Sequence, residues 1–215
     1  MPVPNSFPYP LYLVLSEQDC LHHPWLKIAE EAILGGVDII QLREKKDSKP
    51  QILQKARALK EITDHYHIPL IINDTVEIAA SIDAWGIHVG QSDIPPSQIR
   101  AQYGDRFQIG WSIETIEQLQ SSELAHVQHL GVSPIFRTPT KTDTITEWGL
   151  QGIKQLKKLT RLPLIAIGNM NLSNIHEVQL AGASSIAVVS AICHSENPRM
   201  AAQALKTKMN TNEDH

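Results

Sequence analysis

Cysteine is almost missing from this chain. Cys20 and Cys193 are the only two in 215 residues, too few for the disulfide framework that stabilises small secreted domains. No apolar run approaches the ~18 residues that span a bilayer. Residues 1–10 also lack the positive start and unbroken apolar stretch of a secretion signal, so a cytoplasmic location without membrane attachment is expected. Nor does any Gly/Ser/Pro-rich linker divide the sequence. One domain over residues 1–215 is therefore expected, with a polar tail from about residue 207. Excess positive charge is absent as well. A net charge of -4 gives no global attraction to nucleic acid or to an anionic membrane, so any anion binding has to be local. Cys20 with His22 and His23 matches no zinc-ligand spacing. No G-x-G-x-x-G follows the first apolar run, which continues into Ser16-Glu17-Gln18-Asp19; this weighs against a dinucleotide site on an open doubly wound sheet, the competing architecture.

Within those limits the composition is that of an ordinary globular protein, 42% hydrophobic and 20% charged. Short runs rich in Val, Ile and Leu alternate with longer stretches of helical periodicity, the pattern of repeated βα units. Strands are predicted at residues 11–15, 39–42, 70–72, 86–89, 108–111, 126–131, 164–167 and 185–188. The clearest helix is 51–65, where Ile52, Leu53, Ala56, Leu59 and Ile62 share one stripe. Others are predicted at 25–34, 114–121, 152–159, 173–181 and 198–209, with Ser173 and Asn197 placed as N-caps. Pro69 and Pro163 stand at strand entrances, while Gly35-Gly36 and Gly182 follow helices as C-cap residues do. Eight such units predict an α/β fold, a single (βα)8 TIM barrel of eight parallel strands, with its active site at the C-terminal ends of the strands.

Polar clusters sit at those ends. In Gln41-Leu42-Arg43-Glu44-Lys45, the residues Gln41, Arg43 and Lys45 alternate, so their side chains share the face that looks into the barrel or its mouth. Cations placed there call for an anionic ligand such as phosphate, or else for ion pairing with Asp74 or Asp93. Asn73-Asp74 and Gly90-Gln91-Ser92-Asp93 end the next two strands. Two acids on adjacent loops suit magnesium, which takes one or two carboxylates and fills its octahedron with phosphate oxygens and water; each could instead cap a following helix. Thr138-Pro139-Thr140-Lys141 opens a long polar loop reaching residue 148, either a phosphate-binding loop or plain solvated surface. Gly168-Asn169 and Val189-Ser190 occupy the place where many barrels bind phosphate through backbone N–H groups. Ser112 is placed to hydrogen-bond a heterocycle. Trp85 and His88 read as packing residues and are assigned no chemistry.

Taken in order, these motifs resemble thiamine-phosphate synthase. The resemblance rests on Gln41-x-Arg43-x-Lys45, Asn73-Asp74, Gly86-Ile87-His88-Val89-Gly90-Gln91-x-Asp93, Gly110-x-Ser112, Pro134 with Thr138-x-Thr140-Lys141, and Val189-Ser190. It covers residues 11–206. It implies an enzyme that joins 4-amino-2-methyl-5-hydroxymethylpyrimidine diphosphate to a thiazole ethyl phosphate, giving thiamine phosphate and diphosphate with the help of Mg2+. The 41–45 and 138–141 segments are then substrate-binding. Gln41, Arg43, Lys45, Asn73, Ser112 and Lys141 would hold the pyrimidine diphosphate, and Arg43, Lys45, Ser112 and Lys141 are assigned the catalytic role. Asp74 and Asp93 would bind the metal; Thr138, Thr140, Asn169, Val189 and Ser190 would hold the thiazole phosphate. The implied partners are these small molecules, not nucleic acid or membrane, and the sequence leaves open whether the barrel forms a homo-oligomer. The chain departs from the family at Asn169 and Ser133, where glycine is usual. Two rivals are a related thiazole tautomerase, whose kind tends to lose the metal acids and the T-x-T-K loop, and a non-catalytic sensor of phosphorylated precursors.

Overall fold

A computed structural model describes residues 7–137 and 147–210. Its eight strands are β1 (Leu11–Leu15), β2 (Ile39–Leu42), β3 (Leu70–Asn73), β4 (Gly86–Val89), β5 (Gln108–Ile113), β6 (His129–Val132), β7 (Leu164–Ile167) and β8 (Ser185–Val188). All neighbours pair in parallel, and β8 closes on β1, so the chain is the expected (βα)8 barrel. Around it lie α1 (Trp25–Leu34), α2 (Lys49–His65), α3 (Val76–Ser81), α4 (Pro96–Tyr103), α5 (Gly149–Leu159), α6 (Ile175–Leu180), α7 (Ser190–Cys193) and α8 (Pro198–Asn210).

The period of two along each strand divides the apolar residues into two cores. Leu11, Leu13, Leu15, Ile40, Leu42, Leu70 and Ile72 point outward into the layer beneath the helices. Tyr12, Val14, Ile39, Ile71, Ile165 and Ala187 point inward. The inner set is closed at the N-terminal end by Phe7, whose ring lies 5.1 Å from Tyr9 and 6.3 Å from Trp85. Trp85 is thus the packing residue its sequence context implies. The same alternation directs Gln41 inward between the outward-facing Ile40 and Leu42.

Three predicted elements come out differently. The 114–121 helix is replaced by two 3-10 turns, Ile116–Gln120 and Ser122–His126. Gln118 Oε1 accepts from the amides of Glu114 and Thr115 at 2.6 and 3.1 Å, which closes a tight turn where an α-helix would need room. The second turn ends at His126, so β6 starts at His129 and not at residue 126. Ser173 caps nothing; Asn174 Oδ1 accepts from Asn171 N–H at 2.9 Å and α6 begins at Ile175. Asn197 does cap α8, accepting from Met200 N–H at 3.1 Å.

Inside the barrel, glycines make room for imidazoles. A Cβ on Gly110 would stand 2.5 Å from His88 Nδ1, and one on Gly131 would stand 2.8 Å from its Cε1. His129 is fully buried, with Phe7 4.7 Å and His88 6.0 Å away between ring centroids. Among the described residues neither ring nitrogen of His129 finds a hydrogen-bond partner. Burial, reinforced by His88, pushes its pKa down from 6.5 to about 3. The unfolded chain therefore takes up a proton near pH 6.5 that the folded chain refuses until about pH 3. His129 contributes stability above that window and loses it as the pH falls through it. His129→Leu should flatten the loss of thermal stability between pH 6.5 and 3, as followed by circular dichroism melts across that range.

Candidate active site

The C-terminal ends of the strands open into a cavity of about 430 Å³. Its β2 to β5 side is polar, carrying Gln41, Arg43, Lys45, Asn73, Asp74, Asp93 and Ser112. Opposite, β7 and β8 supply Ile165, Ile167 and Ala187, with Met170, Val189 and Ser190 just beyond. Residues scattered from 41 to 190 thus meet in one mouth, because every parallel strand delivers its last inward side chain to the same rim.

Asp74 and Asp93 face one another across this rim. Neither caps a helix: Thr75 and Pro95 hold the cap positions before α3 and α4. Asp74 pairs with Lys45, so part of the ion pairing anticipated from the sequence is realised. Even so, the Asp74 carboxyl sits above the usual carboxylate range, because burial first, and the neighbouring Asp93 next, outweigh the ammonium of Lys45. The Asp74 backbone adopts φ 61°, a left-handed conformation that a non-glycine residue holds only under constraint from its surroundings. Asp93 Oδ2 accepts from Gly90 N–H at 2.7 Å, which fixes its turn. Among the described residues Arg43 has no ion-pair partner.

Two inward residues take part that sequence reading passed over. His88, read as packing, lines the cavity, and its Nε2 lies 2.9 Å from Ser112 Oγ. The signal was there: His88 follows Gly86 at the inward period of β4. Tyr12 is almost wholly buried, yet its hydroxyl accepts from Gln41 Nε2 at 2.6 Å. That bond uses one of the two amide N–H groups of Gln41 and fixes the plane of its amide. Nothing in the sequence around Tyr12 distinguishes it from an ordinary strand aromatic.

Other sequence-named residues lie elsewhere. Leu42 is 1% exposed in the outer core. The Glu44 carboxylate turns away from the cavity, accepting from Glu17 N–H at 2.8 Å and pairing with Lys55 at 3.0 Å, so it ties the β1 and β2 loops together. Thr138, Pro139, Thr140 and Lys141 fall outside the described residues.

At the far end, Gly168 has φ 112° and Asn169 φ 55°. A Cβ on Gly168 would stand 2.7 Å from Pro134 Cβ, which makes glycine obligatory there, whereas Asn169 occupies the left-handed region that asparagine tolerates. Side-chain amides of Asn171 and Asn174 donate to Asn169 O at 3.2 and 2.8 Å, pinning this loop. Ser133, joined to Pro134 by a cis peptide bond, also lines the cavity. The mouth thus has a polar half with cations and two acids facing an apolar half with a well-anchored backbone loop.

A family model described as thiamine monophosphate synthase matches residues 11–192. Thiamine-phosphate synthase of Albidiferax ferrireducens is 45% identical over 197 residues, covering 91% of this chain and 90% of that protein. Its counterpart in Vibrio parahaemolyticus is 43% identical, covering 94% and 98%. The solved thiamine phosphate pyrophosphorylase of Pyrococcus furiosus superposes with a TM-score of 0.83 at 27% identity, over 94% of this chain and 95% of that one.

Proposed function

The chain belongs to the thiamine monophosphate synthase family and is an enzyme of thiamine phosphate synthesis; from that premise we propose a division of labour within its cavity. The observation that carries it is the facing pair Asp74 and Asp93 with Arg43 and Lys45 on the same rim. A pyrimidine diphosphate would place its phosphates against Arg43 and Lys45 and its ring deeper, beside Gln41 and Ser112. A thiazole phosphate would lie along the apolar β7–β8 wall with its phosphate near Asn169, Val189 and Ser190. Thr138, Thr140 and Lys141 are proposed to complete the two phosphate sites on the residue grounds already given.

The acids fit a magnesium ion. Two opposed carboxylates in a half-buried place, with negative charge still poorly compensated after Lys45 has paired, are what a hard divalent cation relieves. Among the described residues no cluster of three or more potential ligands forms, so an ion held by these two acids would have to draw the rest of its shell from phosphate and water. When bound, magnesium would neutralise charge growing on the departing diphosphate.

The chain's own residues account for the rest. Arg43 and Lys45 stabilise negative charge where the C–O bond to the pyrimidine methylene lengthens, and the stronger hold on that growing charge than on the bound ester is what lowers the barrier. Gln41, oriented by Tyr12, accepts from the amino group of the pyrimidine and holds its plane. The apolar wall excludes water from the electron-poor methylene until the thiazole nitrogen attacks it. No general base is needed for that bond, so proximity and orientation dominate.

Incubating the protein with both phosphorylated precursors and magnesium should yield thiamine phosphate and diphosphate in equal amounts by mass spectrometry. Isomerised thiazole phosphate without coupling would identify a tautomerase instead. Tyr12→Phe should raise KM for the pyrimidine diphosphate about 5- to 10-fold with a smaller change in kcat, the size expected when a buried amide loses one partner. Steady-state kinetics in the two substrates would check this, and an unchanged KM would dissociate Tyr12 from binding.

A further inference from the structure

The two cysteines that sequence separates by 173 positions meet on one flank of the barrel mouth. Cys20 lies on the loop between β1 and α1, half-exposed, and Cys193 ends α7, fully buried. Leu21 N–H, next to Cys20, reaches Cys193 O at 3.5 Å, and each thiol is near enough to shift the other's pKa. His23 Nε2 lies 2.9 Å from Glu196 O, a second link between the same two segments. The two segments are therefore joined by one backbone hydrogen bond and one side-chain contact.

We propose that Cys20 and Cys193 are a peroxide-reactive thiol pair that closes to a disulfide, fastening the β1–α1 loop to α7 beside the cavity. Cys20 is the entry point because it alone is accessible, and Cys193 is the resolving thiol because it is buried directly behind. The neighbouring Cys193 thiol holds the Cys20 pKa below the ordinary thiol range, with burial and the carboxylates of Asp19, Glu44 and Glu17 opposing, while Cys20 and burial push Cys193 up. Cys20 Sγ also lies 3.2 Å from Ser16 O, which fixes its position.

The chemistry balances with hydrogen peroxide as oxidant. The Cys20 thiolate attacks one peroxide oxygen; an S–O bond forms, the O–O bond breaks, and hydroxide leaves to become water. Cys193 sulfur then attacks the sulfenic sulfur; the S–S bond forms, the S–O bond breaks, and hydroxide departs with the Cys193 proton as a second water. Two thiols are oxidised by two electrons in all, and one peroxide is reduced. Transient pairs of this kind are the use to which reducing compartments put disulfides. The tie bears on the site because Asp19 on the loop and Ser190 at the start of α7 both line the cavity.

Mass spectrometry and thiol alkylation of the full chain after mild hydrogen peroxide test the pair. The expected results are a loss of about 2 Da, both thiols protected from alkylation after unfolding, and reversal by dithiothreitol. Cys193→Ser should arrest the reaction at a Cys20 sulfenic acid that dimedone traps, while Cys20→Ser should leave Cys193 reduced. Since a buried serine at 193 could compromise folding, the Cys20→Ser protein, altered at a half-exposed site, is the second arm. Alkylation of both thiols in peroxide-treated wild type, disulfides only between molecules, or oxidation of Cys193 in Cys20→Ser would each overturn the proposal. None of these readouts depends on coupling activity, so they stand apart from the assay of thiamine phosphate formation.

Discussion

Asp93→Asn is expected to lower turnover at least about 10²-fold while leaving the protein folded, the scale on which losing one charge-stabilising group acts. Asparagine is the informative replacement because its oxygen still accepts the Gly90 N–H that Asp93 Oδ2 takes at 2.7 Å, so the turn survives and only the charge goes. Asp74→Asn should act in the same direction on turnover and yet not lower the thermal midpoint of the metal-free protein. Burial and the opposed Asp93 already disfavour the Asp74 charge more than Lys45 favours it, and removing it relieves that cost. Activity lost without stability lost is the signature of acids kept for a ligand. Full turnover in Asp93→Asn at saturating magnesium would remove the metal role, and a fall of many degrees in Asp74→Asn would recast that acid as structural.

Arg43→Gln should cost a factor of about 10² to 10³ in kcat/KM for the pyrimidine diphosphate, with Arg43→Lys recovering only part. The guanidinium lines the cavity without an ion-pair partner among the described residues, so its charge is available to phosphate oxygens in a bidentate fork. Lys45 is already paired with Asp74 and is 44% exposed; Lys45→Gln should therefore cost less than Arg43→Gln. Inhibition by inorganic diphosphate provides the check, since its inhibition constant should rise in step with the loss of kcat/KM. Unweakened inhibition in Arg43→Gln would place the diphosphate elsewhere.

Most of the fold was legible because βα units write themselves into sequence at two periods. The runs at β1, β2, β4, β7 and β8 were bounded to the residue, since Val/Ile/Leu-rich stretches buried on both faces stand out against amphipathic helices. The reading failed between β5 and β6, where Gln118 closes a turn through its side chain and hydrophobic spacing carries no trace of that. Polar residues at strand ends pointed to the site because an inward cation or acid is costly unless a ligand or a counter-charge meets it. Tyr12 escaped for the opposite reason: a tyrosine in a strand is ordinary until its neighbour across the barrel is known, whereas the inward period of β4 already marked His88.

The order of residues along the chain determined the barrel, the face each strand turns inward and the family to which the chain belongs, because periodicity and motif spacing are local properties. Tertiary structure alone decided which acids oppose one another, that Tyr12 orients Gln41, that Glu44 turns toward Lys55 and not the cavity, and that Cys20 reaches Cys193. Those are distances between strands or loops far apart in sequence, and they exist only once the eighth strand has closed on the first.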